Sequence, residues 1–446
     1  MLCELRPKNA SPEAVLAQDD TGAQLCYGDL DDLRDRWAAQ VPGRHIVALL
    51  CANTVPMLGA YIGLQAAGHT VLLLSSKIAK STLDSLTQLY QIGAIIRPGP
   101  EEAAVELRTD VTAPDLHPDL SVCLSTSGST GSPKLVRFTA KQLAENAFSI
   151  ADYLNLTADE KPLAHLPFEY SYGLSVLHSH MAVGATVLLT EHSVMQKPFW
   201  ERLEQATSIS GVPFHFEMLL RMRLGRKSLP KLRTLTQAGG RLERKYAEEL
   251  HAIATDRGWE FHIMYGQTEA GPRISWLPFD KMTTHFDCIG YAIPGVSLER
   301  SGEGDLVVNS PSIMMGYAES VRDLSEGDQM NGQLMTGDLV EEPELGLFRI
   351  IGRKNRFIKL QGNRVSLSDV ESKLGGLGYP VCCSGQDDTL VVFTEQSDID
   401  IIRSAAIELF SFPTRSLKVV HIDTFPRTAN EKIDYAALQL LAQEEI

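Results

Sequence analysis

The chain has 446 residues, with 41 Lys+Arg against 56 Asp+Glu for a formal net charge of -15. Its 44% hydrophobic and 22% charged residues exclude disordered, collagenous and coiled-coil classes, and an isoelectric point near 5.3 argues against nucleic acid as a main partner. At about 150 residues per domain, the length allows about three domains, or a large α/β domain and a smaller one.

The N-terminal Met-Leu-Cys-Glu-Leu-Arg-Pro-Lys is interrupted by Glu4 and Arg6, so it lacks the apolar core of a signal peptide. The best apolar run, 46–52, is far short of the roughly 20 residues that span a bilayer, so no transmembrane segment is expected. Seven cysteines are scattered without a C-x-x-C pair, which argues against zinc and thioredoxin-like sites. These features predict a cytoplasmic protein with reduced thiols.

Short apolar runs alternate with amphipathic stretches along the chain: strand 46–51, helix 55–67, strand 70–74, helix 81–90. Strands follow at 122–125 and 135–139, then at 185–190, 231–236 and 260–265, with a helix over 242–257. Such alternation predicts largely parallel sheets covered by helices on both faces. From Asp305 the pattern changes to short strands (305–309, 346–351, 357–360) separated by Gly-bearing turns. A small α+β pattern follows: helix 367–374, strand 389–394, helix 399–410, strand 417–421, and a helix starting near Asp434. The reading is a large domain over 1–352 and a small one over 353–446. The charge divides unevenly, with 11 basic and 13 acidic residues from Arg353 onward and 30 against 43 before it. His178 and His180 are spaced for a strand and lack a third ligand, so a metal site there is not expected.

The most informative stretch is Leu124-Ser-Thr-Ser-Gly-Ser-Thr-Gly-Ser-Pro-Lys134. A loop of small hydroxyl residues and glycine between two strands can wrap N–H and hydroxyl donors around a polyphosphate, with Lys134 adding charge. It is not a Walker A loop, because G-x-x-x-x-G-K-[ST] is absent; the plain alternative is a surface linker. Four further signatures follow: Tyr265-Gly-Gln-Thr-Glu269, Thr336-Gly-Asp338, Gly352-Arg353 with Lys359 to Arg364, and Pro426-Arg-Thr-Ala-Asn-Glu-Lys432.

Together, in this order and over nearly the whole chain, these motifs resemble those of the adenylate-forming enzymes: acyl-CoA synthetases, luciferases and nonribosomal adenylation domains. The resemblance implies an α/β fold, with a large N-terminal domain of helix-covered sheets plus a small barrel-like subdomain, then a small mobile α+β C-terminal domain. It implies ATP and Mg²⁺, with acceptor thiol from coenzyme A or a carrier-protein phosphopantetheine. Ser125, Thr126, Ser127, Gly128, Ser129, Thr130, Gly131 and Lys134 would form the phosphate loop. Gly239 and Gly240 would pass along the adenine, and Tyr265, beside Gly266, would offer it an aromatic face. Thr268 would meet the α-phosphate, Glu269 would hold Mg²⁺, and Asp338 would accept both ribose hydroxyls. Arg353 would lie near ribose and phosphate, Asn355 at the hinge, and Lys432 would steady the charge developed during adenylation. The reaction implied is formation of an acyl-adenylate with loss of pyrophosphate, then transfer to the thiol.

Three positions depart from the family pattern: Leu135 follows Pro-Lys, Asn355 occupies the hinge, and Glu431 replaces the usual Gly before Lys432. For the substrate, Phe168-Glu169 resembles the Phe-Asp pair that binds an α-amino group in amino-acid adenylation domains. Glu169 therefore either meets a substrate amine or caps the following helix. Phe214, His215 and Met264 fall where the family lines its acyl pocket, or are plain core. Arg353, Lys354, Arg356, Lys359 and Arg364 form a run without acids, suited to coenzyme A phosphates or an acidic carrier helix, or else a solvated strand edge. The leading function is therefore an ATP-dependent acid–thiol ligase, with an amino-acid-adenylating enzyme as alternative. A non-catalytic nucleotide-binding regulator of the same fold would lose Lys432, Glu269 or Asp338, and all three are present.

Overall fold

Ile46–Cys51 reads IVALLC without a polar interruption, and every residue of it is buried. A run of that kind belongs inside a parallel sheet with helices on both faces. It pairs in parallel with Thr70–Ser75 on one side and Ala94–Arg97 on the other. The computed structural model describes residues 5, 7, 10–99, 102–125, 134–354, 356–360, 363–410, 412, 414–428 and 431–445.

The described chain divides into two compact units. The first takes in residues up to Phe286, with Gly290–Ser297 and Val308–Leu334. Its seven-stranded sheet runs in the order Gly316–Ala318, Leu135–Thr139, Leu120–Ser125, Thr70–Ser75, Ile46–Cys51, Ala94–Arg97, Ala104–Leu107. Leu120–Ser125 joins Thr70–Ser75 in parallel and Leu135–Thr139 antiparallel, with Ser125 opposite Leu135. Residues 126–133 of the phosphate loop, from Thr126 to Gly131 and on to Pro133, therefore join two neighbouring strands and lie outside the described residues.

A nine-stranded sheet contains the parallel neighbours Glu260–Tyr265, Thr234–Gln237, Ser208–Gly211 and Pro162–Ala164 in that order. The sequence places Glu260–Tyr265 at its observed bounds, and the helix expected over 242–257 is Arg244–Arg257. His178 and His180 are a correction: both lie on the helix Ser171–Ala182, where a two-residue step turns about 200°. That helix is buried on nearly all sides, so apolar residues fill it without a clear stripe and a short-range spacing misleads. His178 Nε2 meets Tyr61 Oη at 2.9 Å, and His180 Nδ1 meets the Val176 carbonyl at 2.8 Å.

The second unit takes in Asp287–Ile289, Leu298–Val307 and Met335 onward. Within it Leu347–Arg353 pairs antiparallel with Gln333–Glu344, placing Arg353 opposite Asp338. Further on, a three-stranded sheet orders Val381–Gln386, Thr389–Thr394 and Leu417–His421. Its middle strand, TLVVFT, serves two cores by alternation: Leu390 and Val392 join Val370, Leu374 and Ile402, while Val391 and Phe393 join Leu438 and Ala442. The same alternation sends Cys382 and Cys383 to opposite cores, and both are free thiols. Among the described residues no helix is long and apolar enough to cross a membrane.

Candidate active site

Ligands of open α/β sheets bind beyond the carboxyl ends of the strands. Four such ends lie side by side in the nine-stranded sheet, and the chain after each carries sequence-selected residues: Phe168 and Glu169; Phe214 and His215; Gly239 and Gly240; Tyr265 to Glu269. Gly239 adopts φ +84°, the left-handed region where a side chain is costly. Gln237, fully buried, donates from Nε2 to the Gly240 carbonyl at 2.8 Å and fixes this turn. Gly266 is required by the protein's own backbone, since a Cβ there would lie 1.9 Å from the Pro272 carbonyl oxygen.

Thr268 and Glu269 form a short 3-10 turn directly after this strand. The Thr268 hydroxyl lies 2.9 Å from Ser171 Oγ, at the first turn of Ser171–Ala182. Glu269 Oε1 accepts a 2.9 Å hydrogen bond from the Tyr317 hydroxyl, and its carbonyl accepts from Met314 N–H at 2.9 Å. Lys134 sits 5.2 Å from the Tyr317 ring centroid and 3.2 Å from Glu319. Tyr317 thus links the motif carboxylate to the loop lysine. Burial raises the Tyr317 phenol well above its ordinary pKa, and the Glu269 charge adds to that effect. Arg137, fully buried, anchors the strand bearing Tyr317 by donating to the Tyr317, Glu326 and Gly327 carbonyls. Tyr317 and Arg137 escape sequence reasoning because neither falls in a motif.

Glu269 offers the hard oxygen that Mg²⁺ prefers. Among the described residues no group of three or more His, Cys, Asp or Glu could hold a metal ion. One carboxylate without a preformed cage fits an ion that is carried mainly by nucleotide phosphates.

On the side where the sequence resemblance expects the acyl group, Leu166, Tyr170, Tyr172, Val176, Val212, Ala238 and Met264 form one buried cluster, the acyl cluster, with Tyr153, Phe214 and Trp276 packed against it. Met264 is thus a member of this cluster and Phe214 packs against it. His215 stands edge-on to His165 at 4.8 Å, and burial pulls its pKa down to about 4. Phe168 is buried 6.0 Å from the Tyr61 ring and is not part of the cluster. Glu169 is raised in pKa, first by burial, with the Ser75 hydroxyl and Lys77 opposing; its Oε2 is buried without a hydrogen-bond partner. In the stretch 168–172 it is Tyr170 and Tyr172 that enter the acyl cluster. Their tyrosine-serine-tyrosine pattern was the available signal.

The second unit holds the remaining residues. Asp338 is buried, and Arg353 Nε donates to its Oδ1 at 2.7 Å. Gly337, at φ +74°, makes the turn, and Asp338 N–H donates to Thr336 Oγ1. Lys432 lies in a closed turn where its carbonyl accepts from Thr428 N–H at 2.8 Å and Arg427 bridges Ile433. Glu431 takes φ +58° there, so the replacement of the family's glycine is a residue held in the left-handed region. Asn355 lies outside the described residues. Three residues of the basic run have acid partners from outside it: Arg353 pairs with Asp338, Lys354 with Glu303 and Asp305, and Arg356 with Glu371. Acids distant in sequence supply the partners that the run itself lacks.

A model of the AMP-binding enzyme family matches residues 96–318, half of the chain. The chain belongs to that family and is an enzyme of it. It is 24% identical over 444 residues to the 2-succinylbenzoate–CoA ligase of Bacillus cereus, covering 89% of this chain and 88% of the relative. It is 23% identical to the D-alanine–D-alanyl carrier protein ligase of Lacticaseibacillus casei, covering 95% of each. The crystal structure of ATP-bound MatB from Rhodopseudomonas palustris matches with a TM-score of 0.82 at 20% identity, over 100% of this chain and 99% of that one.

Proposed function

We propose that the chain is an ATP-dependent ligase that joins a carboxylic acid to a thiol through an acyl-adenylate. A carboxylate oxygen attacks the α-phosphorus of ATP as the bond to pyrophosphate breaks. A thiol sulfur then attacks the acyl carbon, and AMP leaves with the electron pair of the mixed anhydride bond. The observation that carries this reading is the meeting of Lys134, Tyr317 and Glu269 next to Thr268, which brings a cation, hydroxyl donors and an acidic ligand together at one place. Relatives that are ligases for coenzyme A and for a carrier protein support the thioester outcome.

Within this proposal, Ser125 and residues 126–131 give hydroxyls and N–H groups to the phosphates, with Lys134 as the fixed cation. Gly239, Gly240, Tyr265 and Gly266 flank the adenine; Asp338, oriented by Arg353, accepts the ribose hydroxyls. Mg²⁺, held by Glu269, would neutralise phosphate charge when bound. Lys432 stabilises the charge developed at the reacting carboxylate and phosphate. The acting pieces are 1–352 and a lid of 353–446 turning about Asn355. The self-contained cores running from Ile358 to Ala442 support that division.

The unpartnered Oε2 of Glu169 favours a second reading, in which it meets the ammonium of an amino-acid substrate. Pyrophosphate release over aliphatic, aryl and amino acids, with and without coenzyme A, tests both readings. Acid-dependent release that falls at least about 100-fold in Lys432→Ala supports the ligase. Equal release by that variant would overturn the role of Lys432, and a preference for amines would establish the second reading.

A further inference from the structure

Arg273 lies inside the acyl cluster with no acid to answer it. The residue is 2% exposed. Its guanidinium carbon stands 4.5 Å from the centroid of the Tyr172 ring, and Nη1 donates to the Tyr153 hydroxyl and the Met264 sulfur, each at 3.2 Å. Tyr172 and Met264 are members of the acyl cluster, and Tyr153 packs against it. The guanidinium Nε is buried and has no hydrogen-bond partner. Among the described residues no carboxylate comes within ion-pair distance of Arg273, and outside them the only acids are Glu4 and Glu101. The backbone is firmly placed: Asn146 Nδ2 donates to the Arg273 carbonyl at 3.0 Å, and Gly271, at φ +58°, sets the preceding turn.

A guanidinium keeps its proton under all ordinary conditions. Aromatic faces and phenol oxygens soften its burial but do not neutralise it. A buried, positioned and uncompensated cation is an anion site awaiting its ligand, because its planar fork matches a carboxylate. The location separates it from the phosphate locus, since Thr268 and Glu269 turn to Ser171 and Tyr317 whereas Arg273 turns to Tyr153, Tyr172 and Met264.

We propose that Arg273 is a specificity-determining residue that binds a second anionic group on the acyl substrate, so that the acid activated is a dicarboxylic acid. This rests on the ligase reading above and names the substrate class of its site. One carboxylate reacts at the α-phosphorus, and the other remains ionised against Arg273 among the tyrosines.

The test compares pyrophosphate release with paired acids of matched length: glutaric against pentanoic acid, and 4-carboxyphenylacetic against phenylacetic acid. The wild-type enzyme should favour the dicarboxylic member of at least one pair by 100-fold or more in kcat/KM. Arg273→Leu should erase or invert that preference while retaining turnover of the monocarboxylic member, and Arg273→Lys should restore part of it. The melting temperature of Arg273→Leu should be unchanged or raised, since an apolar side chain suits the cluster better than an empty charge site. Equal use of both members by the wild type, or a dicarboxylate preference retained in Arg273→Leu, would overturn the proposal. A preference for amino acids would overturn it in favour of Glu169. Release with monocarboxylic acids alone leaves the ligase reading standing and removes this one; no release with any acid removes the ligase reading itself.

Discussion

Glu431 holds φ +58° beside the proposed catalytic lysine, and the bonds of its turn run through backbone atoms. Its N–H donates to the Thr428 carbonyl at 3.0 Å, and its carbonyl accepts from Arg427 Nη1 at 2.9 Å. Glu431→Gly keeps both bonds and removes the steric cost of a left-handed L-residue, about 1–2 kcal/mol. Against this stands the extra freedom glycine gives the unfolded chain, about 0.5–1 kcal/mol. The net gain is about 0.5–1 kcal/mol, which raises the melting temperature of a unit the size of the second one, roughly 125 residues, by about 2–4 °C. Scanning calorimetry on the full chain measures it, with Glu431→Ala as control. Alanine removes the carboxylate but keeps the Cβ, so it should give no such rise. Equal shifts in the two variants would show that charge next to Lys432, and not backbone strain, sets the stability of the turn; a fall with glycine would refute the strain argument outright.

Two further outcomes are expected. Tyr317→Phe removes the phenol that donates to Glu269, and a hydrogen bond to a charged group is worth about 1.5–3 kcal/mol. Pyrophosphate release should fall about tenfold with a higher Mg²⁺ requirement, and an unchanged Mg²⁺ titration would remove Tyr317 from the site. His180 and His215 are held by burial at about pKa 4, below the ordinary 6.5. Since the fold favours their neutral forms, their contribution is fully present above about pH 6.5 and lost as pH falls toward 4. The melting temperature of His215→Gln should therefore fall less steeply than the wild type between pH 7 and 5, and parallel slopes would contradict this.

The strands were legible because burial on both faces writes itself as uninterrupted apolar runs, as in Ile46–Cys51 and Thr389–Thr394. Motif loops were legible because phosphate chemistry demands unusual residue types at fixed spacing. The partners of those motifs were not. Tyr317 reaches Glu269 across 48 positions, and Lys354 finds Glu303 across 51. No local pattern encodes such pairings, so the acids that answer the basic run from Arg353 onward are invisible within the run itself. The helix Ser171–Ala182 failed for the opposite reason: being buried all round, it carries no amphipathic period to expose the true spacing of His178 and His180.

The substrate question reduces to two ionisable side chains of opposite type, the half-buried Glu169 and the buried Arg273. Glu169 follows the strand Pro162–Ala164 and Arg273 follows the 3-10 turn of Thr268–Ala270. Sequence resemblance singles out the carboxylate, because it sits beside a phenylalanine in a recognisable pair. The geometry weighs the two differently. Phe168 packs on Tyr61, away from the acyl cluster, and Glu169 has Ser75 and Lys77 near it, so its charge is answered in part within the protein. A raised carboxyl pKa also gives Glu169 an inexpensive way out, since it can take a proton. Arg273 has no comparable partner: its neighbours are phenols and a thioether. The charge that cannot be relieved from within is the one that most requires a ligand, and its sign calls for an acid with a second carboxylate.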